Sequence, residues 1–343
     1  MTLKALPGLE RAAARLQAAL QSGRQSHAYL IVGPAGVGRR ELARELAAVL
    51  LCRKGGVERC GECASCRAFE RGVHPDYEEV GVPAGRQELP IQAIRDVQDR
   101  CAVKPVLSAR RVGVLCDVER MSLEAANCFL KTLEEPPGAT CFILVAENLW
   151  AVPETIVSRC QVIKLAGLPA PAVEQMLRGL GAGEQEARWL ALRAWGSPGK
   201  ALAFRNMGLP EVNRELAQAV MALGPAGILD LTDRLLALAS SDESRAQSRS
   251  LAQDLLEGLA LLYRDAAALA TAGEGVELFN AELKDGLKEF ADRCGADRLI
   301  GCFDRVLAAI ERIGGNVNTT LALDDLFAGL GGAAPPGPDQ AGG

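Results

Sequence analysis

The sequence predicts a layered α/β domain on a mainly parallel sheet over roughly its first 165 residues, followed by helices alone. Three observations carry that expectation. Strand-like and helix-like segments alternate as far as Leu165. One apolar run, Ala28–Val32, feeds a Gly-rich turn and then an amphipathic stretch. Beyond Leu165 the periodicity is purely helical. A length of 343 residues agrees, since it exceeds what one small core fills and favours two or three domains.

Strands are expected at Ala28–Val32, Tyr77–Val80, Val112–Cys116, Cys141–Val145 and Gln161–Leu165. Between them, Arg39–Leu51 places Leu42, Leu46, Val49 and Leu50 on one helical face. A second helix starts with Ser122 as N-cap and Glu124 in its first turn, with Leu123, Ala126, Leu130 and Leu133 on its inner face. Pro136-Pro137-Gly138 ends it. Val152–Cys160 contains a short helix started by Pro153 and ending at Arg159. Leu168-Pro169-Ala170-Pro171 then leads into a small helical unit: Ala172–Leu180, Glu184–Ala194 and a third helix from near Ser197. Gly208-Leu209-Pro210 breaks that unit from a last helical region reaching about Leu330. One of its helices carries Leu231, Leu235 and Leu238, and another carries Leu251, Leu255, Leu259 and Leu262. The tail Gly331–Gly343, almost all Gly, Pro and Ala, has a disordered composition.

Composition excludes several classes. No apolar run approaches the roughly 20 residues of a membrane span, and the first residues lack a secretory apolar core, so a soluble, cytoplasmic protein is expected. A net charge of −5 argues against a protein that grips DNA by itself. Lys104, Arg110 and Arg111 could touch DNA, but a solvated face is the preferred reading. Seven of the eleven cysteines are scattered singly, several in apolar segments (Cys116, Cys128 and Cys141), as reduced buried thiols are.

Gly33-Pro34-Ala35-Gly36-Val37-Gly38-Arg39-Arg40 sits where a phosphate-binding loop belongs, between strand and helix. A working loop ends in Lys and then Ser or Thr: the ammonium reaches the terminal phosphates and the hydroxyl ligates magnesium. Arg39 and Arg40 occupy those places. Arg39 keeps charge on a bulkier fork, and Arg40 offers only donors, so it cannot bind a metal ion. The glycines persist, and backbone amides at a helix N-terminus can still hold phosphate, so binding without turnover stays open. Asp117 ends the third strand where a motor keeps a magnesium-positioning carboxylate. Capping of the next turn is its other reading. Glu119 stands one residue beyond the place of a water-activating Glu, a shift that turns a side chain to the opposite face, and is expected to be solvated.

Cys52, Cys60, Cys63 and Cys66 form C-x7-C-x2-C-x2-C within 15 residues. Two-residue gaps aim neighbouring sulfurs at one ion, and four thiolates suit structural zinc. Paired disulfides or four unrelated thiols are the alternatives. A catalytic zinc would keep an open position, and His74, just before Pro75, is not expected among the ligands. Arg159 has two readings as well: a favourable charge at a helix end, or an arginine that reaches a phosphate on another subunit.

Taken together, Ser26–Leu30, the degenerate loop, the four-cysteine module, His74-Pro75-Asp76-Tyr77, Ala125-Ala126-Asn127, Leu130–Pro137, Ser158-Arg159-Cys160, Gly196–Leu202 and Asn316–Leu323 resemble the clamp-loader branch of AAA+ proteins. Within it they resemble the delta-prime subunits of bacterial DNA polymerase III. The resemblance is strongest over 26–165 and weak over 210–310. It implies an AAA+ domain over 1–166 with a zinc module at 52–66, a helical lid over 167–207, a helical collar over 208–330 and a tail over 331–343. It implies that Cys52, Cys60, Cys63 and Cys66 hold structural zinc. It also implies that Arg159 completes the ATP site of an adjacent subunit in trans. Gly199 falls where a motor keeps a sensing arginine and Glu147 where it keeps a small polar sensor, so intrinsic ATP turnover is not expected and ATP binding is in doubt. Implied partners are gamma or tau motor subunits and a delta subunit in a hetero-oligomer, with the sliding clamp and primed DNA reached through the complex. An active gamma- or tau-type ATPase is the alternative.

Overall fold

The computed structural model describes residues 8–23, 25–83, 85–222, 245–315 and 317–331. The chain divides into two compact units, one of Met1–Ala182 with Arg193–Leu202, the other of Gly183–Leu192 with Ala203–Gly343.

The first unit is built on five parallel strands: β1 (Ala28–Val32), β2 (Tyr77–Val80), β3 (Arg111–Cys116), β4 (Thr140–Ala146) and β5 (Gln161–Lys164), in the order β2-β3-β4-β1-β5. All five expected strands are present, within one or two residues at their ends. Every residue of β1 and β4 is buried, as parallel strands covered on both faces require. The pleat divides them cleanly. Tyr29, Ile31, Ile143 and Val145 join one core with α1 (Glu10–Gln21) and α2 (Arg39–Leu51). Leu30, Val32, Phe142 and Leu144 join the other with α4 (Ile91–Ala102) and α5 (Leu123–Glu134). Three layers result, helix–sheet–helix. A short helix α3 (Ala64–Glu70) follows the cysteine-bearing loop, and α6 (Glu154–Val157) precedes β5.

Ser122 caps α5 as expected, its Oγ accepting from the Ala125 N–H at 3.2 Å. The inner face differs from expectation. Ala125, Ala126, Phe129 and Leu133 are buried, whereas Leu123 is 77 % exposed. Phe129 meets Phe142 edge-on, with centroids 5.2 Å apart, and this large contact sets the helix rotation and leaves the first-turn leucine outside.

Helices Ala170–Gly179, Glu184–Arg193 and Pro198–Asn206 follow the sheet. The first begins two residues earlier than expected because Pro171 is tolerated in an opening turn. In the second unit the long helix Arg245–Ala272 packs against Lys284–Cys294 and Ala296–Gly314. Leu255, Leu259 and Leu262 are buried on it, and Leu299, Cys302, Val306, Ala309 and Ile313 form the facing stripe. Leu231, Leu235 and Leu238 lie outside the described residues, as does the expected tail beyond Gly331.

Candidate functional site

The C-terminal ends of β1, β3 and β4 lie together where the strand order reverses, the place at which such sheets bind ligands. The loop Gly33–Gly38 leaves β1 there. Gly36 and Gly38 take φ of +71° and +92°, a region glycine enters without strain, and Gly38 begins α2. The loop is tightly packed. The Gly199 N–H donates to the Gly36 carbonyl at 2.9 Å, and a Cβ on Gly199 would lie 2.9 Å from the Gly36 Cα. A Cβ on Gly36 would stand 2.3 Å from Ser197 Oγ. The start of the Pro198–Asn206 helix thus meets the loop backbone to backbone.

Polar groups around the loop are matched to one another. Arg40 Nη2 donates to Asp117 Oδ2 at 2.6 Å. Asp117 sits at φ +58°, a left-handed conformation that Asp tolerates better than most residues. Its side chain does not cap the following turn; the turn is closed through its backbone carbonyl, which accepts from the Arg120 N–H at 2.9 Å. Glu119 is not solvated as expected. It is half-buried, its Oε1 accepts from the Glu147 N–H at 2.9 Å, and its Oε2 is buried without a partner. The turn after β3 brings it beside the end of β4 instead of into water. Glu147 Oε1 in turn accepts from the Ala35 N–H at 3.2 Å, so a loop amide already faces a carboxylate.

At the other end of α2 the four cysteines converge. Cys52 terminates α2, Cys63 caps α3, and Cys66 lies within α3. Their four Sγ atoms all lie within 4.8 Å of one another, and Cys60 and Cys66 are 3.9 Å apart. A tetrahedral ion with bonds of about 2.3 Å needs sulfurs about 3.8 Å apart, so the group can hold a metal ion with little movement. All eleven cysteines are free. The sulfurs do not share one environment. Burial alone would push the Cys63 thiol up. The backbone N–H groups of Cys66 and Arg53, with neighbouring thiols, outweigh it and bring it down to about 6. Backbone N–H groups of Cys63 and Glu62 likewise lower Cys60, whereas burial raises Cys66.

Side chains behind the cluster hold it in place. Arg59, in the cysteine loop, pairs with Glu45 of α2 at 2.9 Å and with Glu70 at 2.7 Å. His74 is not among the four, in keeping with expectation, and both its ring nitrogens are engaged. Nδ1 accepts from the Asp76 N–H at 3.0 Å, which fixes the proton on Nε2, 2.8 Å from Ser65 Oγ. Ser65 and Ser108 both donate to the Leu51 carbonyl at 2.7 Å, one residue before Cys52. Burial lowers the His74 pKa, against the opposing pull of Asp76.

Lys104 is exposed as expected, but Arg111 is not part of a solvated face. Only 12 % of its side chain is exposed, and it donates to the carbonyls of Val103 at 2.7 Å and Pro75 at 3.0 Å. Asp76 accepts from three successive backbone N–H groups of the same loop, Val106 to Ser108, so the loop is held from both sides. Arg159 stands two residues beyond the end of α6. Nη1 donates to the Thr155 carbonyl at 3.0 Å and Nη2 to Glu134 Oε1 at 2.5 Å.

Sequence reasoning missed Glu45, Ser65, Ser108 and Glu134. Only Glu45 carried a usable signal, a carboxylate three residues after Leu42 on an apolar helix. The others are joined to their partners by the fold alone.

Sheet order, a Gly-rich loop between β1 and α2, and acidic groups after β3 and β4 define a parallel α/β domain of the phosphate-loop type with an altered loop. Comparison with known proteins narrows this further. A family model described as DNA polymerase III, delta subunit, matches residues 8–169. The Escherichia coli DNA polymerase III subunit delta' is 30 % identical over 317 residues, 91 % of each chain. The Pseudomonas aeruginosa subunit delta' is 36 % identical over 203 residues, 58 % of this chain and 61 % of its own. The Bacillus subtilis subunit tau is 34 % identical over 167 residues, 48 % of this chain and 29 % of its own. The chain belongs to the delta' family of DNA polymerase III clamp-loader subunits.

Proposed function

We propose that the chain acts as a non-hydrolysing subunit of its clamp loader, helping to load the sliding clamp onto primed DNA and lending Arg159 to the ATP site of a neighbouring motor subunit. The observation that carries this reading is the Arg40–Asp117 pair. In a motor, the residue at position 40 and the carboxylate at 117 approach each other through magnesium. Here a guanidinium, which cannot ligate a cation, spans that gap directly and engages Asp117 Oδ2. Three further features agree with it: Glu147 on the Ala35 amide, Gly199 where a sensing arginine would stand, and the backbone contact between Gly199 and Gly36. Arg159 supports the trans role because it stands at a rigid helix end with its side chain 35 % exposed.

In the same reading Cys52, Cys60, Cys63 and Cys66 hold a zinc ion whose role is structural. It would fasten the loop between α2 and α3, and four protein sulfurs leave it no open position for substrate. Residues 1–166 form the AAA+ domain, 167–207 a lid and 208–330 a collar through which the subunits assemble. The partners are tau or gamma and delta, in a cytoplasmic hetero-oligomer without membrane contact. Subunits named tau and gamma are themselves among the relatives, so an active ATPase is the second reading, and the positive-φ glycines of the loop favour it.

ATP binding and hydrolysis by the purified chain, alone and then with its cognate motor subunit, separates the two. The proposed role requires no turnover alone, and turnover in the mixture that falls at least about tenfold with Arg159→Ala. Turnover by the isolated chain, free of contaminating ATPase, establishes the second reading.

A further inference from the structure

Arg159 does not hang free from its helix end. Nη1 donates to the Thr155 carbonyl at 3.0 Å and to Ser158 Oγ at 3.3 Å, and Nη2 donates to Glu134 Oε1 at 2.5 Å. Glu134 is the last residue of α5, where the helix dipole is negative and a carboxylate is unfavourable unless a cation joins it. The guanidinium carries five N–H hydrogens. These contacts grip the fork from its own helix on one side and from α5 on the other. Nε has no acceptor among the described residues and Nη2 has one acceptor for its two hydrogens, and these two nitrogens form one edge of the fork. A planar pair of donors is what two phosphate oxygens accept best.

We propose that Glu134 is a positioning residue for Arg159: it fixes the plane of the guanidinium so that the Nε–Nη2 edge is ready for a phosphate on the neighbouring subunit. The inference rests on the trans reading of Arg159 given above. Its physical basis is preorganisation. An arginine already held by a carboxylate loses less rotamer freedom when the phosphate arrives, and its donors need no reorientation as charge develops in the transition state. The effect therefore falls on kcat of the assembled complex and not on nucleotide affinity.

The test is steady-state ATPase of the reconstituted complex with Arg159→Ala, Glu134→Ala, Glu134→Gln and the double Arg159→Ala/Glu134→Ala chain, each checked for assembly by gel filtration. Arg159→Ala is expected to lower kcat at least about tenfold. Glu134→Ala should lower it about three- to tenfold with KM within about twofold, since orientation is a fraction of the finger's effect. Glu134→Gln, which keeps an oxygen acceptor but not the charge, should fall between Glu134→Ala and the unaltered chain. The double chain should match Arg159→Ala alone, because a positioning residue has nothing left to position. If Arg159→Ala lowers kcat while Glu134→Ala does not, or if the two losses multiply, the positioning role is overturned and the finger stands. If Arg159→Ala changes nothing, the finger reading falls and the positioning role falls with it.

Discussion

At its N-terminal end α2 faces a loop in which the chain supplies charges of both signs: Arg40 against Asp117, and Glu147 against the Ala35 amide. At its C-terminal end, thirteen residues on, the same helix runs into four sulfurs gathered within 4.8 Å, with Lys54 nearby but paired with Glu62 at 3.1 Å. Arg59 lies in that loop, but Glu45 and Glu70 occupy its guanidinium. The contrast is one of charge. Where side chains of opposite charge reach each other, they satisfy one another. Where four thiols converge, the group can hold a metal ion. Both ends belong to one rigid element, so the difference lies in the side chains and not in the backbone.

The largest expected effect breaks the comparison at the cysteine end. Cys63→Ser should release the metal and lower the melting temperature by roughly 10 °C, since a structural ion carries much of the folding free energy of its loop. Zinc content and calorimetry on the same preparation check it; full zinc with unchanged melting removes the structural role. A smaller effect is expected just behind the cluster. His74→Phe leaves the Asp76 N–H without its acceptor and Ser65 without its donor, at a cost of about 2 kcal/mol. His74 also gives the unaltered chain a pH dependence. Its folded pKa lies below the unfolded 6.5, so the folded state binds fewer protons there. The contribution is complete above about pH 6.5 and is lost as pH falls below it. Melting curves between pH 5 and pH 8 should be steeper in pH for the parent than for His74→Phe, and parallel curves would remove His74 from the account. The smallest effect tests the loop end. Arg40 and Asp117 are 53 % and 26 % exposed in their side chains, so Asp117→Asn should cost at most about 1 kcal/mol, with the difference shrinking in high salt. A loss several times larger would mean that the pair supports the loop and does more than replace a cation.

Much of this architecture was legible from residue order. Strands β1, β3 and β4 announce themselves as apolar runs, and Arg39–Leu51 matches its helix to the residue because its apolar spacing and preceding glycine agree. The cysteine cluster was equally plain, since its members are close in sequence and need only a tight turn to meet. What escaped were contacts between distant segments. Arg40 and Asp117 are 77 positions apart, Ala35 and Glu147 are 112 apart, and nothing local marks either pair. Glu119 was misjudged for a related reason: a one-residue shift says which way a strand would turn it, but a turn follows β3 there. Leu123 was placed on the wrong side of α5 because leucine outweighs alanine in a pattern, whereas in the packed molecule Phe129 decides the rotation.

The contact between Gly36 and Gly199 has a consequence for what position 199 can carry. A Cβ there would lie 2.9 Å from the Gly36 Cα, with no room for a side chain unless the two segments part. Any larger residue would act as a wedge, opening the loop after β1 and breaking the Gly199 N–H bond to the Gly36 carbonyl together. The two glycines thus behave as one structural unit, and a change at either is felt at both.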